Sequence, residues 1–287
     1  MKKTNRLRNI WYGLSVKQRF FLRRLYYFPI DFFDKVLSRR HKYVPSRGMI
    51  YTGSSIGSKE YIKQGLFQLN LLKEEIDLLP NDKILDIGSG VGRTAIALTS
   101  YLNSDGSYDG FDVVEQGVNW CNKGIGKDFS NFKFKYVPLF NDLYNTSKLK
   151  ATEFEFPYAN NSFDKVFSIS LFTHMQLDEI QHYFSEIARV VKPEGLCFST
   201  FFLYDSDDED DIAKREHFSF PYKREGYRLM NGNVKSGNIA IHKDVLRGML
   251  KKANLECLSI TDGFWKSKMF DGTKKEFQDI VIFKRLN

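Results

Sequence analysis

The run Ile84-Leu85-Asp86-Ile87-Gly88-Ser89-Gly90-Val91-Gly92-Arg93-Thr94 constrains the fold of this chain more than any other segment. A short apolar strand carries an acid near its end, three glycines follow at alternate positions, and a helix can start directly after them. Glycine is required where the backbone turns to positive φ, or where a ligand must come close to the main chain. A helix starting at such a turn offers unpaired N–H groups that suit a carboxylate or a phosphate. Spacing then separates the ligand classes. A dinucleotide fingerprint places its glycines as GxGxxG, which would put the third at position 93. Arg93 stands there, and the third glycine is Gly92. An NAD oxidoreductase is therefore disfavoured.

The rest of the chain argues for an α/β sheet around this unit. Ile62, Leu66, Leu69, Leu72, Ile76 and Leu79 recur at helical spacing and predict a helix over 59–79, stopped by Pro80. Strands are expected at 83–87, 107–113, 131–137, 165–170 and 196–202. They alternate with helices at 94–102, from 116 onward, and at 178–191. A helix over 243–253 and strands near 256–259 and 279–284 complete the pattern. Alternation at this pitch predicts a parallel sheet covered by helices on both faces. Residues 205–211 hold six acids in seven positions and read as a solvated loop, with a lid as the competing reading.

The second half of the site is Tyr108-Asp109-Gly110-Phe111-Asp112-Val113. Neighbouring parallel strands end side by side at a ligand crevice, and an acid there accepts both hydroxyls of an adenosine ribose. Asp112 is that acid. NAD enzymes use the same place, so the glycine loop and not Asp112 discriminates. Asp86 repels a pyrophosphate but accepts a hydrogen bond from an ammonium group, and Arg93 can answer a carboxylate. Together they suit the methionine part of S-adenosylmethionine.

These motifs resemble class I S-adenosylmethionine-dependent methyltransferases, from about residue 51 to the C-terminus. Phe156-Pro157-Tyr158-Ala159-Asn160-Asn161-Ser162-Phe163-Asp164-Lys165-Val166 resembles the segment leading into that family's fourth strand. Glu186-Ile187-Ala188-Arg189-Val190-Val191-Lys192-Pro193-Glu194-Gly195 resembles the helix-to-strand turn before its fifth. The chain looks most like a bacterial subgroup carrying runs such as Gly110-Phe111-Asp112, Phe172-Thr173-His174-Met175 and Thr200-Phe201-Phe202-Leu203. The resemblance implies a Rossmann-like fold whose seven-stranded, mostly parallel sheet has an antiparallel strand near the C-terminus. It also implies S-adenosylmethionine as cofactor, held by Asp86, Gly88, Ser89, Gly90, Gly92, Arg93, Asp112, Val113 and Ser170. One departure is Val137-Pro138-Leu139, where such enzymes often place an acid near the adenine amino group. Adenine contacts are expected instead from backbone there or from residues 151–156.

Methyl transfer from a sulfonium is an in-line displacement, so the protein aligns the reactants, excludes water and removes a proton where needed. Enzymes acting on nucleobase amines carry an Asn/Asp-Pro-Pro-aromatic run after the fourth strand, and this chain has Ser170-Leu171-Phe172-Thr173-His174. Cytosine-C5 enzymes need a cysteine following a proline, and Cys121, Cys197 and Cys257 do not follow one. His174 is the candidate general base, because imidazole titrates near neutrality. A histidine that caps the next helix or bonds a loop carbonyl is the equal alternative. Tyr61, Tyr204 and Tyr227 are candidates for the pocket wall, with packing as the competing role. Residues 201–227 are expected to shape an acceptor pocket. The expected function is O- or N-methylation of a small-molecule or glycan/lipid-linked acceptor. An RNA-directed enzyme and a non-catalytic cofactor-binding protein are the alternatives.

Charge divides the chain. Residues 1–48 hold 13 Lys and Arg against 2 Asp and Glu, whereas the remainder holds 30 against 33. The expected division is a basic aromatic arm, 1–48, and a methyltransferase domain, 49–287. Ser15 should cap a first short helix, and Pro29 should break it from a second running to about residue 40. The arm lacks a continuous apolar core and a cleavage site, so it is not read as a secretory signal. No window approaches the apolar length of a membrane span. Three widely spaced cysteines argue against a disulfide framework or zinc site and for a reducing compartment. The expectation is a cytoplasmic protein, with peripheral contact at the inner membrane face as a further reading. Three roles compete for the arm: helices packed on the domain with arginines outward, a surface helix on anionic lipid, and contact with nucleic acid.

Overall fold

The computed structural model describes residues 11, 13–53, 55–266 and 276–286. Its central sheet is built on β1 (Lys83–Ile87), flanked by β2 (Ser107–Asp112) and β4 (Phe163–Ser168). β3 (Phe132–Tyr136) lies beyond β2 and β5 (Val191–Phe201) beyond β4, and all four of these contacts are parallel. β11 (Asp279–Arg285) runs antiparallel to both β5 and β10 (Leu255–Thr261). This is the antiparallel strand expected near the C-terminus. The order is β10-β11-β5-β4-β1-β2-β3.

Successive residues of the central strands enter opposite cores, which is why these strands read as continuous apolar runs. Ile84, Tyr108, Phe167 and Phe198 face one core, shared with α2 (Ser58–Ile76), α3 (Arg93–Leu98) and α4 (Glu115–Cys121). Leu85, Phe111, Val166 and Cys197 face the other, shared with α5 (Leu177–Val190) and α7 (Lys243–Lys252). The chain leaves β1 toward β2 and β3, then crosses back to β4 on the other side. Ligand crevices form at such a switch, outside the carboxyl ends of the strands.

A second sheet, β6-β9-β8-β7, was not foreseen from the sequence. Its strands β6 (Leu203–Tyr204), β7 (Tyr222–Arg224), β8 (Tyr227–Leu229) and β9 (Ile239–His242) are too short to show a periodic pattern. The buried Asp279 carboxylate ties this sheet to β11. It accepts hydrogen bonds from Leu203 N–H at 2.6 Å, Gly263 N–H at 2.8 Å and the Trp265 indole at 2.7 Å. Residues 205–211 are not a plain solvated loop. They form a 3-10 turn and the start of α6 (Glu209–Lys214), with Asp205 on Lys243 at 2.8 Å and Asp208 on Lys266 at 2.9 Å.

The arm departs from expectation in two ways. Ser15 caps a helix as predicted, with Gln18 completing a capping box, but α1 runs unbroken over Val16–Val36 with Pro29 inside it. Both halves are anchored, which offsets the missing hydrogen bond. The first half is held by Arg19 on the Asp142 carbonyl and Arg24 on Gln116. In the second half Asp31 accepts the N–H groups of Arg47 and Gly48, and Asp34 pairs with Arg47 and Arg40. Of the three readings of the arm, the one with arginines outward holds only in part. Arg19 is buried, and Arg40 donates to the carbonyls of Pro45 and Ile56, while Phe21, Tyr26, Phe28, Phe32 and Phe33 are exposed. Main-chain carbonyls draw Arg19 and Arg40 inward, whereas Arg24 and Arg39 stay exposed.

Because Pro29 sits solvent-exposed in a continuous helix, Pro29→Ala removes the clash without removing packing. The unfolding free energy should rise by about 1–3 kcal/mol, read by denaturant titration. A helix broken at this point would show no such gain.

Candidate functional site

The glycine turn after β1 is held by the end of β2. Gly88 N–H and Ser89 N–H donate to the Phe111 carbonyl at 2.9 and 3.1 Å, and Gly90 N–H donates to Asp112 Oδ2 at 2.9 Å. Asp112 Oδ1 also accepts the Val114 N–H at 2.8 Å and the Tyr51 hydroxyl at 3.4 Å. Gly88, Gly90 and Gly92 have φ of 84°, 59° and 80°, the left-handed region that other residues enter only at a cost. Gly110 is required for a different reason. A Cβ there would lie 2.8 Å from the Tyr108 hydroxyl and 2.9 Å from Ser89 Cβ.

These elements open into a cavity of about 870 Å³. Asp86, Gly88, Ser89, Gly90, Arg93, Asp112, Val113, Ser170 and His174 all line it. Gly92 does not. It starts α3, and a Cβ there would meet Cys121 Sγ at 2.8 Å, so its small size serves packing. Tyr61 lines the cavity, with its hydroxyl 3.4 Å from the Val91 carbonyl. Tyr204 instead packs edge-on against His242, and Tyr227 donates to Gln176 at 3.1 Å. From the segment 201–227, Phe202 and Phe218 reach the wall.

Burial sets the charge states here. Asp86 accepts the Tyr108 hydroxyl at 2.6 Å. Burial nevertheless pushes its carboxyl up to about 7 against that bond, from an ordinary 3.8. Asp112 is also raised by burial, opposed by the N–H groups of Val114 and Gly90. Burial lowers Arg93, whose Nε donates to Gln68 at 3.1 Å. Ser170 holds a left-handed φ of 58°, fixed by its N–H on Thr200 and its hydroxyl on Gln278.

His174 Nδ1 lies 2.7 Å from the Ser236 carbonyl. A carbonyl only accepts, so Nδ1 carries the proton and the neutral ring has its lone pair on Nε2. Burial lowers its pKa below the ordinary value, which keeps the ring neutral at pH 7. The loop-bonding role foreseen as an alternative is therefore present, and it sets the tautomer a base needs.

Several wall residues carried no sequence signal. Tyr51, Tyr144, Glu179 and Glu276 come from scattered segments, and Val16, Arg19, Phe20 and Arg23 come from α1. Aromatic contacts run from Phe20 to Tyr51 at 5.5 Å, on to Tyr144 at 5.8 Å, and to His174 at 5.9 Å. Only folding places these side by side.

One further feature of the wall suits a polar ligand such as S-adenosylmethionine. Ser89 Oγ is buried in the cavity wall without a hydrogen-bond partner among the described residues, a group that a polar ligand would satisfy.

Residues 85–199 match the family described as a methyltransferase domain. The chain is 27% identical over 146 residues to a sterol 24-C-methyltransferase of Gibberella zeae, covering 50% of this chain and 34% of that one. It is 26% identical over 185 residues to a phosphoethanolamine N-methyltransferase of Plasmodium falciparum, covering 63% and 62%. In fold it is similar to a SAM-dependent methyltransferase from Methanosarcina mazei, with a TM-score of 0.50, 21% identity and coverage of 73% and 94%. The chain thus spans between about one third and three fifths of the length of these two curated relatives. The match to a methyltransferase domain spans residues 85–199, and the likeness to the solved structure is one of fold. That Methanosarcina mazei protein is described as SAM-dependent.

The sign of the Asp86 shift makes a prediction. The folded protein holds a proton on Asp86 that the unfolded chain releases near pH 4. Stability of the ligand-free protein should therefore fall as pH rises from about 4 to about 7, and Asp86→Asn should flatten that part of the profile. Thermal melts of both proteins across this range check it, and parallel profiles would sink the assignment.

Proposed function

We propose that residues 49–287 form a catalytic domain that transfers a methyl group from S-adenosylmethionine to a small-molecule or glycan/lipid-linked acceptor, on oxygen or nitrogen. One arrangement carries the reading: the glycine turn and Asp112 close one end of the cavity whose wall also includes His174. The cofactor supplies a methyl group already activated on a sulfonium. In this reading Asp112 accepts the ribose hydroxyls, and Val113, Leu139 and Ala151 flank the adenine. Gly88, Ser89 and Gly90 give close backbone approach. Asp86 and Ser170 lie toward the methionine end, where Arg93 balances the carboxylate.

His174 acts as the general base. Its Nε2 accepts the proton from an acceptor hydroxyl or amine while Nδ1 stays bonded to the Ser236 carbonyl. Tyr144, edge-on to the ring, excludes water from it. Peripheral membrane contact through the arm stands beside this reading, supported by the exposed aromatics of α1. The sterol and phosphoethanolamine named for the two relatives are small amphiphilic or phosphate-bearing acceptors, which supports that acceptor class. The nucleobase alternatives keep no support from the segment Ser170-Leu171-Phe172-Thr173-His174.

Calorimetry should detect S-adenosylmethionine and S-adenosylhomocysteine but not NAD. Asp112→Ala should weaken the first two by at least about tenfold, since a charged hydrogen-bond acceptor is lost. No change in affinity would remove Asp112 from the site.

His174→Ala should leave cofactor affinity within about twofold and lower turnover by about 10²-fold or more. Because burial lowers the His174 pKa, activity should persist to below pH 6.5 before the acid limb sets in. Full turnover in the variant would end the base assignment.

A further inference from the structure

α1 has two faces with opposite characters. The inner face, with Val16, Arg19, Phe20 and Arg23, lines the cavity. The outer face carries Phe21, Leu25, Phe28, Phe32 and Val36, spaced four, three, four and four apart and forming one stripe along the helix. Leu22, Tyr26 and Phe33 widen that stripe, and all eight residues are at least 40% exposed. Lys17, Arg24 and Lys35 run down one edge of it and are also exposed. Both acids of the helix, Asp31 and Asp34, point inward and pair with Arg47. The outward surface of α1 therefore combines a broad apolar band with cations and no carboxylate.

That chemistry selects the occupant. A second copy of this chain would bring another surface with the same excess of cations against it, which repels. An anionic bilayer offers apolar depth to the stripe and negative charge to its edge. No helix among the described residues is long and apolar enough to cross a membrane.

We propose that α1 lies in the plane of an anionic membrane surface and forms the bilayer-facing wall of the cavity, so that the acceptor is an amphiphile taken from that membrane. This rests on the methyltransferase reading only for the identity of the acceptor; docking stands independently. The inner face adds a selection rule. Arg23 lines the cavity with its Nε buried and unpartnered among the described residues, and its positive charge favours an acceptor with an anionic head group.

The test uses the full chain and vesicles of phosphatidylcholine, with or without one third phosphatidylglycerol, read by co-sedimentation. The chain should partition onto the anionic vesicles, more weakly at high salt, and much less onto phosphatidylcholine alone. Phe21→Ser/Phe28→Ser/Phe32→Ser should lower the partition by at least about tenfold. Lys17→Gln/Lys35→Gln should lower it several-fold and reduce the salt dependence. Both variants should keep the wild-type melting temperature and S-adenosylhomocysteine affinity, which shows that they are folded. Absence of partition, or an unchanged partition in the triple-serine variant, overturns the proposal. Self-association of the wild type that the triple-serine variant abolishes also overturns it, by assigning the stripe to a second copy. Vesicle binding without S-adenosylhomocysteine binding would sink the methyltransferase reading and leave the docking surface standing.

Discussion

A single carboxylate organises the crevice. Asp112, at the end of β2, accepts the N–H of Gly90 from the neighbouring strand's turn and the N–H of Val114 from its own. With the Phe111 carbonyl taking Gly88 and Ser89, three consecutive N–H groups of the glycine turn are fixed to β2. The turn can adopt that path only because its glycines reach positive φ. The start of α3 and the placement of Arg93 follow from it.

The crevice is also electrostatically poised. Asp86, Asp112 and Arg93 are removed from water within one cavity, and burial disfavours the charged form of each. Such a site gains from a ligand that brings its own opposite charges, as a zwitterionic amino acid does. Desolvation also keeps His174 neutral, and the Ser236 carbonyl selects its tautomer. The loop that supplies Ser236 is fixed in turn by Asp142, which accepts the N–H groups of Lys235 and Ser236. Arg19 of α1 donates to the carbonyl of the same Asp142. The arm is therefore linked to the histidine through Asp142 and Ser236.

This coupling changes what the arm is. A helix rich in aromatics and arginines would ordinarily bury the rings and expose the charges. Here Arg19 and Arg40 turn toward main-chain carbonyls, and most of the rings face outward. The arrangement makes one helix both a wall of the cavity and the site of many of the exposed large apolar side chains among the described residues.

The central sheet, its order of helices and strands, and the glycine turn with its two acids were legible in the sequence. Those features rest on local rules: strands buried on both faces need apolar runs, and a sharp turn before a helix needs glycine. Asp86, Asp112 and Ser170 could be placed because each sits at or just past the end of a recognisable strand. The continuity of α1 through Pro29 was not legible, since propensity favours a break and only contacts with residues 40–48, Gln116 and Asp142 override it. Tyr51, Glu179 and Glu276 were invisible for a related reason, because nothing near them in sequence marks a site. The second sheet lacked any strand long enough to show a period. Local chemistry thus determined the fold class and the glycine-turn end of the cavity. Tertiary packing decided its other end, because side chains far apart in sequence become neighbours only when the sheet and the arm have closed around them.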